Sequence, residues 1–171
     1  MASILEDVQT SAAAVSQALL VFGYAANFSA DSLIEIDRFF DENSRDGEPT
    51  AEGLLAEELG KRLFAIGSYV GEVLRRTRGG EWIGDDADPR AEVNVILRLA
   101  DGTKCWPIQR VMKRFNQGPA ESIAIYGLGA GLEYSRPIGP LFPAERIVQA
   151  KLAVPIQKTE ALAKKRFWKF W

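Results

Sequence analysis

The segment that most limits how this chain can fold is LLAEELGKRLFAIGSYVGEVLRRTR, residues 54–78. Leu55, Leu59, Leu63, Ile66, Val70 and Val73 recur at steps of three and four, which puts them on one face of a helix. A second row runs beside them: Gly60, Phe64, Gly67, Gly71 and Leu74. Each interior glycine costs a helix about 1 kcal/mol relative to alanine. Such a row makes sense where another element comes close against that face. The spacing therefore predicts a central helix over 54–78. Glu52, Glu57 and Glu58 sit near its start, Arg75, Arg76 and Arg78 near its end, and Gly79-Gly80 stops it.

The flanking segments supply layers for that helix. Ser3 and Glu6 form a capping-box signature that opens a helix to about Tyr24, with Val8, Val15, Leu19 and Phe22 inward. A second helix is expected from Ser29, capped by that serine, with Leu33, Ile36, Phe39 and Phe40 buried. DENSRDGEPTAEG reads as a polar loop. The period then changes to two. Glu81-Trp82-Ile83 is a short strand, Glu92–Leu99 alternates as a longer one, and Asp101-Gly102 turns it back through Thr103–Trp106. Pro107 opens a helix with Ile108, Val111, Met112 and Phe115 inward, and a glycine-bearing helix follows after Pro119. The expected class is α+β: N-terminal helices and the long central helix packed on an antiparallel sheet of about three strands. Residues 1–135 form this domain. RPIGPLFP, residues 136–143, is an extended connector, and 144–171 a helical extension.

Function classes narrow by what is missing. The chain has no histidine, which removes imidazole metal sites and every Ser-His or Cys-His pair. One cysteine, Cys105, leaves no internal disulfide and reads as a buried structural thiol. No basic n-region precedes an apolar run at the start, and no uncharged apolar stretch is long enough to span a bilayer, so a cytoplasmic protein is expected. The net charge of −2 hides an asymmetry: residues 1–100 hold 18 acids and 9 bases, residues 101–171 hold 5 and 12. Those halves can neutralise each other within one fold, or the imbalance can serve a charged partner.

Five cations and an aromatic suggest an anion or small-ligand site: Arg75, Arg76, Arg110, Lys113 and Arg114 around Trp82. A pI near 5.3 argues against a dedicated nucleic-acid binder. Gly127, Gly129 and Gly131 in GLGAG lack the dinucleotide spacing and the later acid, so tight helix packing is the better reading. Asp85, Asp86 and Asp88 lack a cation-loop pattern and read as a solvated turn. Glu72, between Val70 and Val73 on the central helix, calls for an arginine partner in the core. At the end of the chain Lys164, Lys165, Arg166 and Lys169 interleave with Phe167, Trp168, Phe170 and Trp171. That composition fits contact with the chain's own domain, a protein partner or a membrane surface.

Gly67, Tyr69, Gly71, Glu72, Gly80, Trp82, Asp101, Gly102, Pro107 and Lys113-Arg114 together spell a pattern: G-x-Y-x-G-E-V-x-R-R, G-G-x-W, a D-G hairpin and a helix ending K-R. Over about Phe28 to Tyr126 this resembles a group of small bacterial proteins that share a domain of unknown function. The resemblance implies an α+β fold and a cytosolic home; it implies no reaction, cofactor or metal. The expectation is a non-catalytic protein-binding module, such as a regulator or a toxin-neutralising immunity protein. An anion-binding protein, an enzyme among the options, and peripheral membrane association through the tail are the alternatives.

Overall fold

A computed structural model describes residues 3–138 of the 171. Helix α1 spans Ile4–Val21 and opens on the expected capping box: Ser3 Oγ accepts from Glu6 N at 3.3 Å, and Ser3 N donates to the Glu6 carboxylate at 2.8 Å. Its buried face is Ile4, Val8, Ala12, Ser16 and Leu19. Phe22, expected inside, is 59% exposed. The helix stops before it in a Schellman turn: Gly23 adopts φ +84°, its N–H reaches Leu20 O, and Tyr24 N reaches Leu19 O. Tyr24 enters the core in place of Phe22.

Helix α2 spans Ser32–Asn43, three residues later than expected. Ser29 does not cap it. The Ser29 carbonyl accepts from Ser32 instead, and Asp31 occupies the N-cap position. The buried face is as expected: Leu33, Ile36, Phe39 and Phe40. The polar loop after it contains a small hairpin, β1 (Ser44–Arg45) with β2 (Glu48–Pro49), turned by Asp46-Gly47. Both turn residues have positive φ, the condition for a two-residue I′ turn.

The central helix α3 spans Leu59–Arg78, five residues shorter at its start than the pattern predicts. The cause is Asn43. Its buried amide oxygen takes Leu54 N–H at 2.7 Å, and two successive turns, Gly53 N to Thr50 O and Ala56 N to Gly53 O, follow. A side chain that captures a backbone N–H competes with the helix for it. Glu58 then sits at φ +48°, so helix begins only after it. Glu52, Glu57 and Glu58 therefore do not stand in its first turn; Glu58 pairs with Lys61 at the surface. Leu55 still fills the core, from the turn. Every residue from Ile66 to Leu74 is buried, so α3 is enclosed over more than two turns.

Strands β3 (Gly80–Ile83), β4 (Ile96–Leu99) and β5 (Lys104–Cys105) form an antiparallel sheet in the order β3-β4-β5. Trp82 stands opposite Leu97, and Leu97 opposite Cys105, a cross-strand row that faces the core. Gly80 has no room for a side chain: a Cβ would lie 2.4 Å from Arg98 O. Only the second half of Glu92–Leu99 is strand. Asp88 accepts from Arg90 N and Asn94 Nδ2, at 2.8 and 2.6 Å, and holds 91–94 as a helical turn, α4 (Ala91–Asn94). Val95, Leu97 and Leu99 keep the inward phase.

Helix α5 (Pro107–Gln117) buries Ile108, Val111, Met112 and Phe115 as expected. A single 3₁₀ turn, Gly118–Glu121, leads to α6 (Ile123–Gly129), with Ser122 Oγ accepting from Ile125 N at its start. α3 lies between α1 and α5 and touches β4; α2 packs on α6 and α3. The fold is α+β. The helical extension expected over 144–171, and most of the connector 136–143, lie outside the described residues. Among the described residues no helix is long and apolar enough to cross a membrane.

Candidate functional site

Two rows on α3 build the centre of the molecule. A Cβ on Gly67 would stand 2.5 Å from Ile108 Cα, and one on Gly71 would stand 2.1 Å from the Trp82 ring and 3.0 Å from Pro107. The glycines thus seat α5 and the indole directly on the helix backbone. That brings Trp82 Nε1 within 2.9 Å of Glu72. Arg75 clamps the same carboxylate at 2.7 and 3.0 Å, and Arg76 reaches it at 3.3 Å while stacking 3.7 Å over Phe28. Tyr69, fully buried, donates to Ser32 Oγ at 2.6 Å and accepts from Phe28 N at 3.0 Å. The residues of the G-x-Y-x-G-E-V-x-R-R pattern are therefore contact-making and backbone-spacing parts of the core.

Burial works to raise the Glu72 carboxyl, but hydrogen bonds from Arg75, Trp82 and Arg76 outweigh it and hold the group below the ordinary 4.5. A folded value below the unfolded one means the carboxylate stabilises the fold above pH 4.5 or so. That contribution disappears as pH falls through the folded value, because the unfolded chain takes the proton first. Glu72→Gln should cost about 2 kcal/mol at neutral pH. It should also shrink the loss of thermal stability below pH 4.5, read as melting temperature against pH. An unchanged acid limb would show that Glu72 is not among the groups that titrate there.

The five cations do not meet in one pocket. Arg75 and Arg76 belong to Glu72, whereas Arg110 and Lys113 both pair with Glu121, the latter at 3.1 Å. Arg114, 2% exposed, lies inside the fold between α5 and α2. It donates to Asp37 at 3.0 Å and to Asp41 at 2.5 Å. Asp37 then gathers the start of α6, accepting from Ser122 Oγ at 2.6 Å, Ile123 N at 3.0 Å and Ala124 N at 2.9 Å. The reason for the separation is local. An acid lies within reach of each cation, and burial makes a partnered charge far cheaper than an unpartnered one. Trp82 joins Arg75 and Arg76 only through Glu72.

The other motif residues also have packing or capping roles. Gly127 lies inside α6, where a Cβ would strike Tyr134, Leu33 and Leu132, so IAIYGLG is a tightly packed helix and not a strand with a phosphate loop. Asp86 accepts from Ile4 N at 2.6 Å, while Asp85 and Asp88 fold back on their own loop. Cys105 is buried, and burial pushes its thiol up. The Tyr126 hydroxyl lies beside it without an aligned partner, and Arg110 sits 4.7 Å over the Tyr126 ring.

The feature that sequence reasoning placed wrongly is the free end of α1. Leu20, Val21 and Phe22 are 44, 82 and 59% exposed, three adjacent apolar side chains at a helix C-terminus with no basic residue in its last turn. A cleft of about 340 Å³ begins at Gly23 and runs past Asp31, Glu35 and Arg38 to Arg136. Arg136 donates to Glu35 at 2.5 Å, and Ser135 N donates to Asp31 at 2.8 Å, which fastens the chain's exit beside the cleft. The signal for this surface was Gly23, whose position after Phe22 ends the helix one turn-residue earlier than the apolar period suggests. The expected tail contacts, Lys164, Lys165, Arg166, Phe167, Trp168, Lys169, Phe170 and Trp171, lie outside the described residues. Comparison with protein-family models, with curated proteins and with solved structures finds no match to this chain in any of the three.

Proposed function

We propose that this chain is a non-catalytic protein-binding module that meets its partner through the tip of α1. The observation that carries the reading is the adjacent exposure of Leu20, Val21 and Phe22. Three consecutive apolar side chains held in water at a helix end cost solubility, and contact is the use such exposure fits. The ion pairs weaken the ligand reading: each of the five cations is held by a carboxylate of the same chain, Arg75 and Arg76 sharing Glu72, Arg110 and Lys113 sharing Glu121, and Arg114 lying on Asp37 and Asp41. The partner expected is a protein segment with apolar and aromatic side chains that cover Leu20, Val21 and Phe22; the helix C-terminus beside them already takes a hydrogen bond from Arg38 at Gly23 O, 2.8 Å. A module of this kind acts by occupancy, as a regulator or an immunity protein does.

The test is affinity capture from the cell that encodes the chain, with the full chain and its Val21→Asp/Phe22→Asp form as baits. Both positions are open to solvent, so the variant should melt within about 1–2 °C of the parent, since surface substitutions change stability little. A prey that the parent retains and the variant loses supports the reading. A prey held equally by both removes the α1 tip from it.

A further inference from the structure

We propose that Arg75 and Arg76, gathered on Glu72, form a docking site for a single carboxylate group. The inference goes beyond the partner reading and stands without it.

Two guanidiniums share one buried carboxylate here, so the group carries a net charge of +1. Glu72 is satisfied without Arg76: Arg75 holds it at 2.7 and 3.0 Å, and Trp82 Nε1 at 2.9 Å. Arg76 adds one longer bond through Nε, at 3.3 Å. Among the described residues neither Nη group of Arg76 has a hydrogen-bond partner, nor has Arg75 Nη1, and no second carboxylate lies within 4.0 Å of either side chain. The two side chains are 35 and 48% exposed, so they meet solvent while Glu72 fixes them from the buried side. The negative pole of α3 offsets about half a charge, and the neighbouring Arg78 pairs with Asp101 at 3.5 Å. Arg110 and Lys113 share Glu121 in the same ratio but are less open, at 24 and 28%.

The platform under Arg76 is a separate observation. Its guanidinium carbon lies 3.7 Å from the centre of the Phe28 ring. Phe28 has φ +61°, a left-handed conformation that a bulky residue keeps only where its surroundings impose it. Tyr69 imposes it: its Oη takes Phe28 N–H at 3.0 Å, and the two rings are 4.8 Å apart. A relaxed Phe28 would withdraw its ring from Arg76. Stacking fixes the guanidinium plane and leaves its edge open, the arrangement that receives two oxygens of one oxyanion side by side. Charge selects among oxyanions. A net charge of +1 or slightly less matches a carboxylate and leaves the second charge of a phosphate unopposed.

The test titrates the full chain with sodium acetate against sodium chloride at constant ionic strength, which holds screening fixed. The Nε–Hε resonances of Arg75 and Arg76 should move and saturate, with a half-point on the order of 10 mM. A response that is absent, linear, or matched by chloride overturns the proposal. Arg76→Lys keeps the charge and leaves Arg75 and Trp82 on Glu72, so it should melt within about 2 °C of the parent. It loses the flat fork, and acetate should bind about tenfold more weakly. Arg78→Lys, at the same helix end, should bind acetate as the parent does. Acetate bound equally by the parent and Arg76→Lys, or weakened as much by Arg78→Lys, would show diffuse charge at the helix end and overturn the site. Where acetate binds as expected, affinity capture with Arg76→Lys as bait identifies the source. A prey lost with α1 intact assigns the carboxylate to a protein; a prey retained assigns it to a small acid.

Discussion

Asp37→Ala should lower the thermal midpoint of this protein by about 10 °C, on the expectation that removing one side of a buried ion pair costs about 3–5 kcal/mol. Asp37 accepts from Arg114 Nε, Ser122 Oγ, Ile123 N and Ala124 N. Alanine would leave the buried guanidinium to Asp41 and the backbone carbonyl of residue 37, and the Ile123 and Ala124 N–H groups without their acceptor. Asp37→Asn is the informative companion. It keeps the shape and one good acceptor, but presents an NH₂ group to donors, and should recover less than half of the loss. Arg114→Met tests the same centre from the other side: it removes the charge and keeps most of the volume. It should cost less than Asp37→Ala, because Asp37 retains its three α6-side donors. If Asp37→Ala melts with the parent, the node is ornamental and the α2–α6 contact is held by Leu33 and its neighbours.

Gly67→Ala should destabilise by about 2 kcal/mol, the opposite of what helix propensity alone gives. Propensity favours alanine by about 1 kcal/mol in a helix interior. The new methyl, however, would stand 2.5 Å from Ile108 Cα, a backbone atom that cannot swing aside. Overpacking of this sort costs about 1–3 kcal/mol, with the upper end expected where backbone must move. Ala65→Gly, two residues away and half-buried, provides the control, and should lose about 1 kcal/mol through propensity alone. Chemical denaturation of the three proteins decides the matter. A stabilised Gly67→Ala would mean that α5 does not lie on α3 at that point.

The parts of this fold that could be read in advance are those where one pattern acts alone. The stripe Leu63, Ile66, Val70 and Val73, the Pro107 helix start and the Asp101-Gly102 turn each follow from a local rule with nothing competing. The misreadings occur where a polar side chain outbids the backbone pattern. Asn43 takes Leu54 N–H and shortens α3; Asp88 takes Arg90 N and bends the start of the alternating run into α4. Neither partner is visible from periodicity, since Asn43 and Leu54 lie eleven positions apart and meet only once α2 is packed. The cation cluster failed for a related reason. Arg75, Arg76 and Trp82 do share a carboxylate, but Arg114 lies against Asp37 and Asp41, more than 70 positions distant in the chain. The charge asymmetry between the two halves was legible, and pairs such as Arg114 with Asp37 and Arg136 with Glu35 are its internal resolution.

The enclosure of Ile66–Leu74 has a consequence for how such a chain can vary. A stretch of helix with no outward side offers no position where one residue can drift by itself. Any side chain added at 67 demands a smaller or displaced residue at 108, and any added at 71 demands another ring than Trp82 or another residue than Pro107. Sequence change in the heart of this protein must therefore come in matched sets, while the end of α1 is open to single steps.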